Sequence, residues 1–193
     1  MSRVVGRETL LAEVRDILER GESVALNGPV GVGKSALLTI IEEQRRTAHD
    51  DAVLHARGAH EEYALPFAAL RDLLAQCPPE LVDEPPEAVR GPVAAGLVGI
   101  DVTDELRSDL AAGFHSLLAR WSETRPVLML LDDVQWLDGE SSTIVGYARR
   151  RLPGRVALVA TIGPGDNNEE IDVSGLHHLE VPHPVTGPGV PGR

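Results

Sequence analysis

The chain has little of several features that define whole classes of protein. Its 193 residues include one cysteine, Cys77, which excludes a disulfide within the chain and a multi-cysteine zinc site. Aromatic residues make up 3% of the chain, so Leu, Val, Ile and Ala must supply most of the core. No apolar run reaches the roughly 18 residues that a membrane span needs, and no secretory signal is present. We therefore expect a cytoplasmic protein that does not bind membranes.

Lysine is also scarce. The 18 basic residues are 17 arginines and Lys34, and 30 acidic residues give a net charge of −12. A chain this acidic repels phosphate backbones, so we expect no direct binding of nucleic acid. A GTPase would recognise guanine with an Asn-Lys-x-Asp motif, which is excluded because the single lysine belongs to a different motif.

The apolar residues predict strands that alternate with helices. Short apolar runs predict strands at 23–27, 52–55, 127–131, 156–162 and 179–181. The spacing of apolar residues predicts a first helix that ends near residue 21, and further helices over 34–46, 66–77, 103–122 and 141–151. The proline-rich segment 78–96 predicts a loop. This alternation favours an α/β fold with a mostly parallel sheet and helices on both faces.

A glycine-rich segment stands between the first strand and the second helix. It matches the pattern G-x-x-x-x-G-K-[ST] with the residues Gly28, Pro29, Val30, Gly31, Val32, Gly33, Lys34 and Ser35. Glycines let backbone N–H groups approach a phosphate, and the helix that follows points its positive end at the anion. We expect a P-loop NTPase in which Lys34 contacts the β- and γ-phosphates as a catalytic residue and Ser35 binds Mg²⁺.

The acidic end of one predicted strand is the second candidate element. The apolar run Val127–Leu131 is followed by Asp132 and Asp133. Such a run is typical of a parallel strand buried on both faces. Carboxylates at its end can hold Mg²⁺ through the metal's bound waters. We expect Asp132 to lie on the metal side and Asp133 to act as the catalytic residue that polarises the attacking water.

Three segments together resemble the AAA-type ATPase domain of the STAND class of signal-transduction NTPases. The segments are Val5-Gly6-Arg7-Glu8, the phosphate loop, and the run from Leu130 to Asp138. Over residues 3–165 the chain is similar to the N-terminal ATPase domain of large ATP-binding LuxR-type transcriptional regulators. The resemblance implies that Val5, Gly6 and Arg7 lie near the adenine and that ATP with Mg²⁺ is the cofactor. It also implies slow or absent hydrolysis and a signalling state that is often oligomeric.

The chain departs from that family at two places. Family members carry a Thr-x-Arg pattern whose arginine contacts the γ-phosphate, whereas this chain has Thr161-Ile162-Gly163. The glycine removes a charge that would stabilise the transition state. The helical lid, sensor repeats and DNA-binding helices that follow in the family have no counterpart, so the resemblance predicts a truncated regulator. We expect an ATPase domain over 1–165, then a partial last strand and a disordered Pro/Gly-rich tail over 166–193.

Three functional hypotheses stay open. The first is a regulatory module that binds Mg-ATP with weak hydrolysis at most and associates with a second copy or with a regulator. The second is a stand-alone enzyme that hydrolyses ATP or transfers a phosphoryl group. The third is an interaction domain that has kept the fold and lost nucleotide turnover.

Overall fold

The structure, a computed structural model, describes residues 7–82, 102–151, 154–164, 173 and 175–183. The helices in this part of the chain are α1 (Glu8–Glu19), α2 (Lys34–Ala48), α3 (Ala68–Ala75), α4 (Pro79–Val82), α5 (Asp104–Thr124) and α6 (Gly139–Arg151). The strands are β1 (Val24–Asn27), β2 (Ala52–Arg57), β3 (Val127–Asp132), β4 (Val156–Ile162) and β5 (His177–Glu180). No helix among these residues is long and apolar enough to cross a membrane.

The strands form one sheet in the order β2-β3-β4-β1-β5, and every neighbouring pair is parallel. Arg57 lies opposite Asp132 in the register of β2 and β3, and Asn27 lies opposite Ile162 in that of β1 and β4. The carboxyl ends of these four strands therefore meet at one edge, which we call the carboxyl edge. The predicted α/β fold with a parallel sheet is confirmed.

Helices cover both faces of the sheet. One face packs against α1 and α2 in an apolar cluster that includes Leu128 and Leu130. The other face packs against α3, α5 and α6 in a cluster that includes Met129 and Leu131. Because successive side chains of a strand point to opposite faces, a sheet covered on both sides buries every position. All six residues of β3 are buried in this way.

Cys77 belongs to the core of the second face. Burial raises the pKa of its thiol to about 12. The reactive thiolate is therefore nearly absent at neutral pH, and the side chain serves as a small apolar group rather than as a nucleophile.

A buried carboxylate connects the turn after β3 to the helices of the second face. Asp138 is 3% exposed and accepts hydrogen bonds from the backbone N–H groups of Phe67, Ala69 and Ser141, at 2.8, 3.2 and 2.9 Å. These donors lie at the starts of α3 and α6, where N–H groups have no partner within the helix. One side chain thus fixes the starts of two helices relative to the carboxyl edge.

Two predicted segments differ from the structure. The helix predicted over 66–77 spans Ala68–Ala75, because Phe67 takes a left-handed backbone conformation (φ 64°) in which Asp138 holds its N–H. The helix α4 forms within the segment predicted as a loop, and residues 83–101 lie outside the described part of the chain.

The last strand begins two residues earlier and ends one residue earlier than the predicted 179–181. β5 spans His177–Glu180 and pairs with β1 at the border of the sheet. Most of the predicted tail, residues 184–193, lies outside the described residues. The division of the chain after residue 165 therefore stays a prediction.

Replacing Asp138 by alanine is expected to destabilise the domain by about 3–5 kcal/mol, because three backbone N–H groups lose a buried charged acceptor. Urea unfolding followed by circular dichroism measures this loss. The control Asp16→Ala removes a carboxylate that is 63% exposed on α1 and should change stability by less than about 0.5 kcal/mol. A similarly small loss for Asp138→Ala would contradict the role of this carboxylate in holding the two helix starts.

Candidate functional site

The phosphate loop leaves β1 at the carboxyl edge and runs into α2. Gly31 and Gly33 have positive φ angles of 79° and 93°, which residues with a side chain rarely adopt. Within the described residues, the backbone N–H groups of Gly31, Gly33, Lys34 and Ser35 have no hydrogen-bond acceptor. They lie at the positive end of a 15-residue helix, which is the arrangement that binds anions.

Lys34 lies beneath this loop. Its side chain is buried, and Nζ donates hydrogen bonds to the carbonyl oxygens of Gly28 at 2.7 Å and Pro29 at 3.1 Å. Both acceptors belong to the first two residues of the loop. The lysine therefore ties the loop's beginning to the start of α2 and keeps the ammonium group at the centre of the candidate phosphate site.

Arg7 supports the other end of the loop. It is 4% exposed, and its guanidinium donates to the carbonyl oxygens of Val32 and Gly33 and, at 3.5 Å, to that of Pro182 after β5. A Cβ atom at Gly33 would lie 2.7 Å from Nη1 of Arg7, so a side chain at this position would force the guanidinium to move. Val5 and Gly6 lie outside the described residues, and the placement of these three residues near an adenine stays a prediction.

Asp132 and Asp133 are joined by a threonine from the neighbouring strand. The hydroxyl of Thr161 donates to Oδ1 of Asp132 at 2.6 Å and accepts from the backbone N–H of Asp133 at 2.8 Å. Thr161 is fully buried and Asp132 is 2% exposed. Asp133 has a left-handed backbone (φ 52°), which turns its side chain out of the strand direction. The bridge therefore orients the carboxylate of Asp132 and holds the backbone of Asp133.

Gln135 fills the space beside Gly163. Its side-chain oxygen accepts from the backbone N–H of Gly163 at 2.9 Å, and its side-chain nitrogen lies 3.3 Å from Oδ1 of Asp133. A Cβ atom at Gly163 would lie 2.8 Å from that nitrogen. The position where the resembling family has an arginine is therefore packed against Gln135, and an arginine there would have to displace it.

Arg57 is the residue of this edge that the sequence analysis does not identify. It ends β2, and its guanidinium lies 3.6 Å from Oδ2 of Asp133 and 3.9 Å from Oδ2 of Asp132. Its side chain is 67% exposed, so the charged group is free to change partners. In the sequence, Arg57 is recognisable only as a basic residue near the end of a predicted strand. Its proximity to the two aspartates becomes apparent only from the strand order, in which β2 lies next to β3.

The donor and acceptor groups at the carboxyl edge fit a nucleotide with Mg²⁺. The free N–H groups and Lys34 suit phosphate oxygens, while the exposed Ser35 hydroxyl and the Asp132 carboxylate are the oxygen ligands that Mg²⁺ prefers. Among the described residues, no group of three or more His, Cys, Asp or Glu side chains is arranged to hold a metal ion. A magnesium ion here would therefore need the phosphates as further ligands.

Comparison with known families agrees with this geometry. The family described as "AAA ATPase domain" matches residues 3–160. The chain belongs to the AAA ATPase domain family. Membership in this family supports the interpretation that the carboxyl edge binds a nucleotide. It also explains why one parallel sheet contains both a phosphate loop and a strand with an acidic end.

Solved structures support the fold of this AAA domain. Cdc6p from Pyrobaculum aerophilum superimposes with a TM-score of 0.52 at 17% identity, over 94% of this chain and 46% of that one. A chain of Drosophila ORC bound to DNA gives 0.55 at 15% identity, over 92% of this chain and 90% of that one. At these identities the likeness shows the fold alone. The AAA domain spans about half the length of the Cdc6p chain.

One curated protein matches a shorter stretch. ABC transporter G family member 4 of Dictyostelium discoideum is 46% identical over 48 residues, which are 24% of this chain and 6% of that protein. So short a match describes a local likeness between two ATP-related sequences and says nothing of transport.

Replacing Thr161 by valine is expected to destabilise the domain by about 1–3 kcal/mol, because the buried Oδ1 of Asp132 loses its donor and the N–H of Asp133 loses its acceptor. Thr161→Ser keeps the hydroxyl and should retain most of the stability. Urea unfolding of both variants measures the difference. A smaller loss for Thr161→Val than for Thr161→Ser would mean that the methyl group, and not the hydrogen-bonded bridge, is what the site requires.

Proposed function

We propose that the AAA domain is a Mg-ATP-binding regulatory module, of the kind found in LuxR-type signal-transduction ATPases, that hydrolyses ATP slowly at most. The observation that carries the proposal is the phosphate loop, which combines N–H groups without an acceptor among the described residues with the buried ammonium of Lys34. Such a loop binds a polyphosphate through backbone geometry and charge, whether or not the bound nucleotide is then hydrolysed.

Each residue has a distinct role in this proposal. The backbone N–H groups of Gly31, Gly33, Lys34 and Ser35 and the ammonium of Lys34 hold the β- and γ-phosphates. Ser35 and Asp132 hold Mg²⁺. The metal supplies charge that neutralises the phosphate oxygens. Asp133 orients the attacking water, and Val5, Gly6 and Arg7 contact the adenine. In a chain of net charge −12, these local cations are needed to make the edge attractive to an anion.

Two features argue for slow turnover. Gly163 provides no cation near the γ-phosphate, and its N–H is bound to Gln135. Asp133, the candidate base, is already paired with Arg57. A water molecule would have to displace this contact to reach the Asp133 carboxylate, so bound ATP would persist. A persistent ATP-bound form is what a regulatory switch needs, and the partner that reads it would be a second copy or a regulator.

The stand-alone enzyme is the second candidate, and the degenerate interaction domain is the third. The enzyme is favoured by the arrangement of Asp132, Asp133 and Thr161, which a domain without turnover does not require. The interaction domain is disfavoured by the same groups and by the unpaired N–H groups of the loop. Binding and turnover measurements separate all three.

Replacing Lys34 by alanine is expected to weaken Mg-ATP binding by about 10- to 100-fold, the range for loss of one charge-assisted contact. Lys34→Arg should also bind weakly, because a planar fork does not replace a compact ammonium between two phosphates. Isothermal titration calorimetry gives both dissociation constants. Arg46→Ala, which removes a half-exposed cation from the far end of the same helix, should bind like the original protein. Absence of binding by the original protein at millimolar Mg-ATP would leave only the interaction domain.

Removing the partner of Asp133 is expected to raise turnover. Arg57→Gln should increase the rate of phosphate release by up to about fivefold, the limit set by an exposed ion pair, while Asp133→Asn should lower it by about 100-fold. Arg125→Gln is the matched control, because it removes an exposed arginine that pairs with Asp50, away from the carboxyl edge. Fast turnover by the original protein that depends on Asp133 would favour the stand-alone enzyme over the regulatory module.

A further inference from the structure

The edge of the sheet opposite the phosphate loop contains two adjoining cavities. The first, of about 150 Å³, lies between α1 and α2. The second, of about 230 Å³, extends to the starts of β3 and β4. Leu18, Arg45 and His49 line both, so we treat them as one cleft and call it the amino-edge cleft. The two volumes together come to about 380 Å³, at the lower end of the ~300–1,000 Å³ of sites for drug-sized ligands, which favours a small molecule.

A buried ion pair forms the floor of this cleft. Nε of Arg45 lies 2.5 Å from Oδ2 of Asp51, and the two side chains are 11% and 1% exposed. Nη1 of Arg45 and Oδ1 of Asp51 are buried without any hydrogen-bond partner among the described residues. Buried polar atoms are nearly always paired in folded proteins. The floor therefore lacks one acceptor for the arginine and one donor for the aspartate, and both residues line the cleft.

The side chains that line the cleft indicate which kind of ligand could supply the missing acceptor and the missing donor. The wall between α1 and α2 is largely apolar, with Val14, Leu18 and Ile41 among its side chains. The part at the starts of β3 and β4 has both polar and apolar side chains. Arginine and acidic residues both line it, so no single charge dominates. A carboxylate ligand would satisfy Arg45 but would add a like charge beside Asp51 and leave Oδ1 unpaired. A neutral head group with a separate acceptor and donor satisfies both atoms.

We propose that the amino-edge cleft binds a small amphipathic molecule with a primary carboxamide on a short apolar body. The carbonyl oxygen of the amide accepts from Nη1 of Arg45, its NH₂ group donates to Oδ1 of Asp51, and the apolar body packs between α1 and α2. Both of these helices begin at the phosphate loop, α1 directly after Arg7 and α2 at Lys34. The cleft is thus at the far ends of the two helices that support the nucleotide edge.

The test is a titration of the ¹⁵N-labelled protein with hexanamide, followed by two-dimensional NMR. We expect the amide signals of His49, Gly154 and Arg155, which line the cleft, to shift with saturation. Hexanoate and N,N-dimethylhexanamide are the matched ligands, since the first carries a charge and the second lacks the donor. Each should bind at least about tenfold more weakly. Lys34→Ala should bind hexanamide unchanged, which separates failure of this site from failure of the proposed ATP binding.

Two variants locate the bound molecule. Ala48→Trp places a large side chain on the exposed wall of the cleft and should lower hexanamide affinity at least about tenfold, whereas Thr47→Trp, at a neighbouring position that does not line the cleft, should not. The double variant Arg45→Met with Asp51→Leu replaces the ion pair by apolar groups, a change that buried pairs often tolerate. It should abolish the preference for hexanamide over its dimethyl analogue. Equal binding of all three ligands, or full binding by Ala48→Trp, would overturn the proposal.

Discussion

The parallel direction of every strand in the described residues is the constraint on which the rest of the structure depends. A parallel sheet covered by helices on both faces accepts almost only apolar side chains along its strands, so polar groups are placed where strands end. Because parallel strands end at the same edge, Arg57, Asp132 and Thr161 meet although they are far apart in the chain. The packing of the core thus collects these three polar side chains at the carboxyl edge.

The charged side chains at the carboxyl edge are paired with other protein groups in the structure described. Lys34 is bound to two loop carbonyl oxygens, Arg57 to Asp133, and Thr161 to Asp132. A nucleotide would compete with these contacts, so only the difference between old and new contacts contributes to affinity. Pairing of this kind keeps the edge ordered without a ligand. It also makes the position of the Asp133 carboxylate depend on Arg57, which lies outside both the phosphate loop and the acidic end of β3.

Local patterns in the sequence predicted much of the fold and part of the site. The apolar runs at 127–131 and 156–162 and the glycine pattern before Lys34 depend on neighbours along the chain, and these elements lie where the sequence predicts them. Arg57 could not be recognised, because its partners come from another strand. The left-handed Phe67 and the late start of α3 depend on a carboxylate 71 positions away. The Arg45–Asp51 pair likewise becomes notable only through its burial.

The geometry of the carboxyl edge explains why the single lysine of the chain stands at position 34. Nζ of Lys34 reaches two carbonyl oxygens from one compact atom, at 2.7 and 3.1 Å. Arg7 instead spreads its fork across the carbonyl groups of Val32, Gly33 and Pro182. A planar guanidinium suits acceptors that lie apart, whereas an ammonium suits acceptors that converge on a point. Both ends of the phosphate loop are thus held by cations, and the shape of each acceptor set decides which cation holds it. In a chain with 17 other basic residues, all arginine, the one lysine is at the position where the acceptors converge.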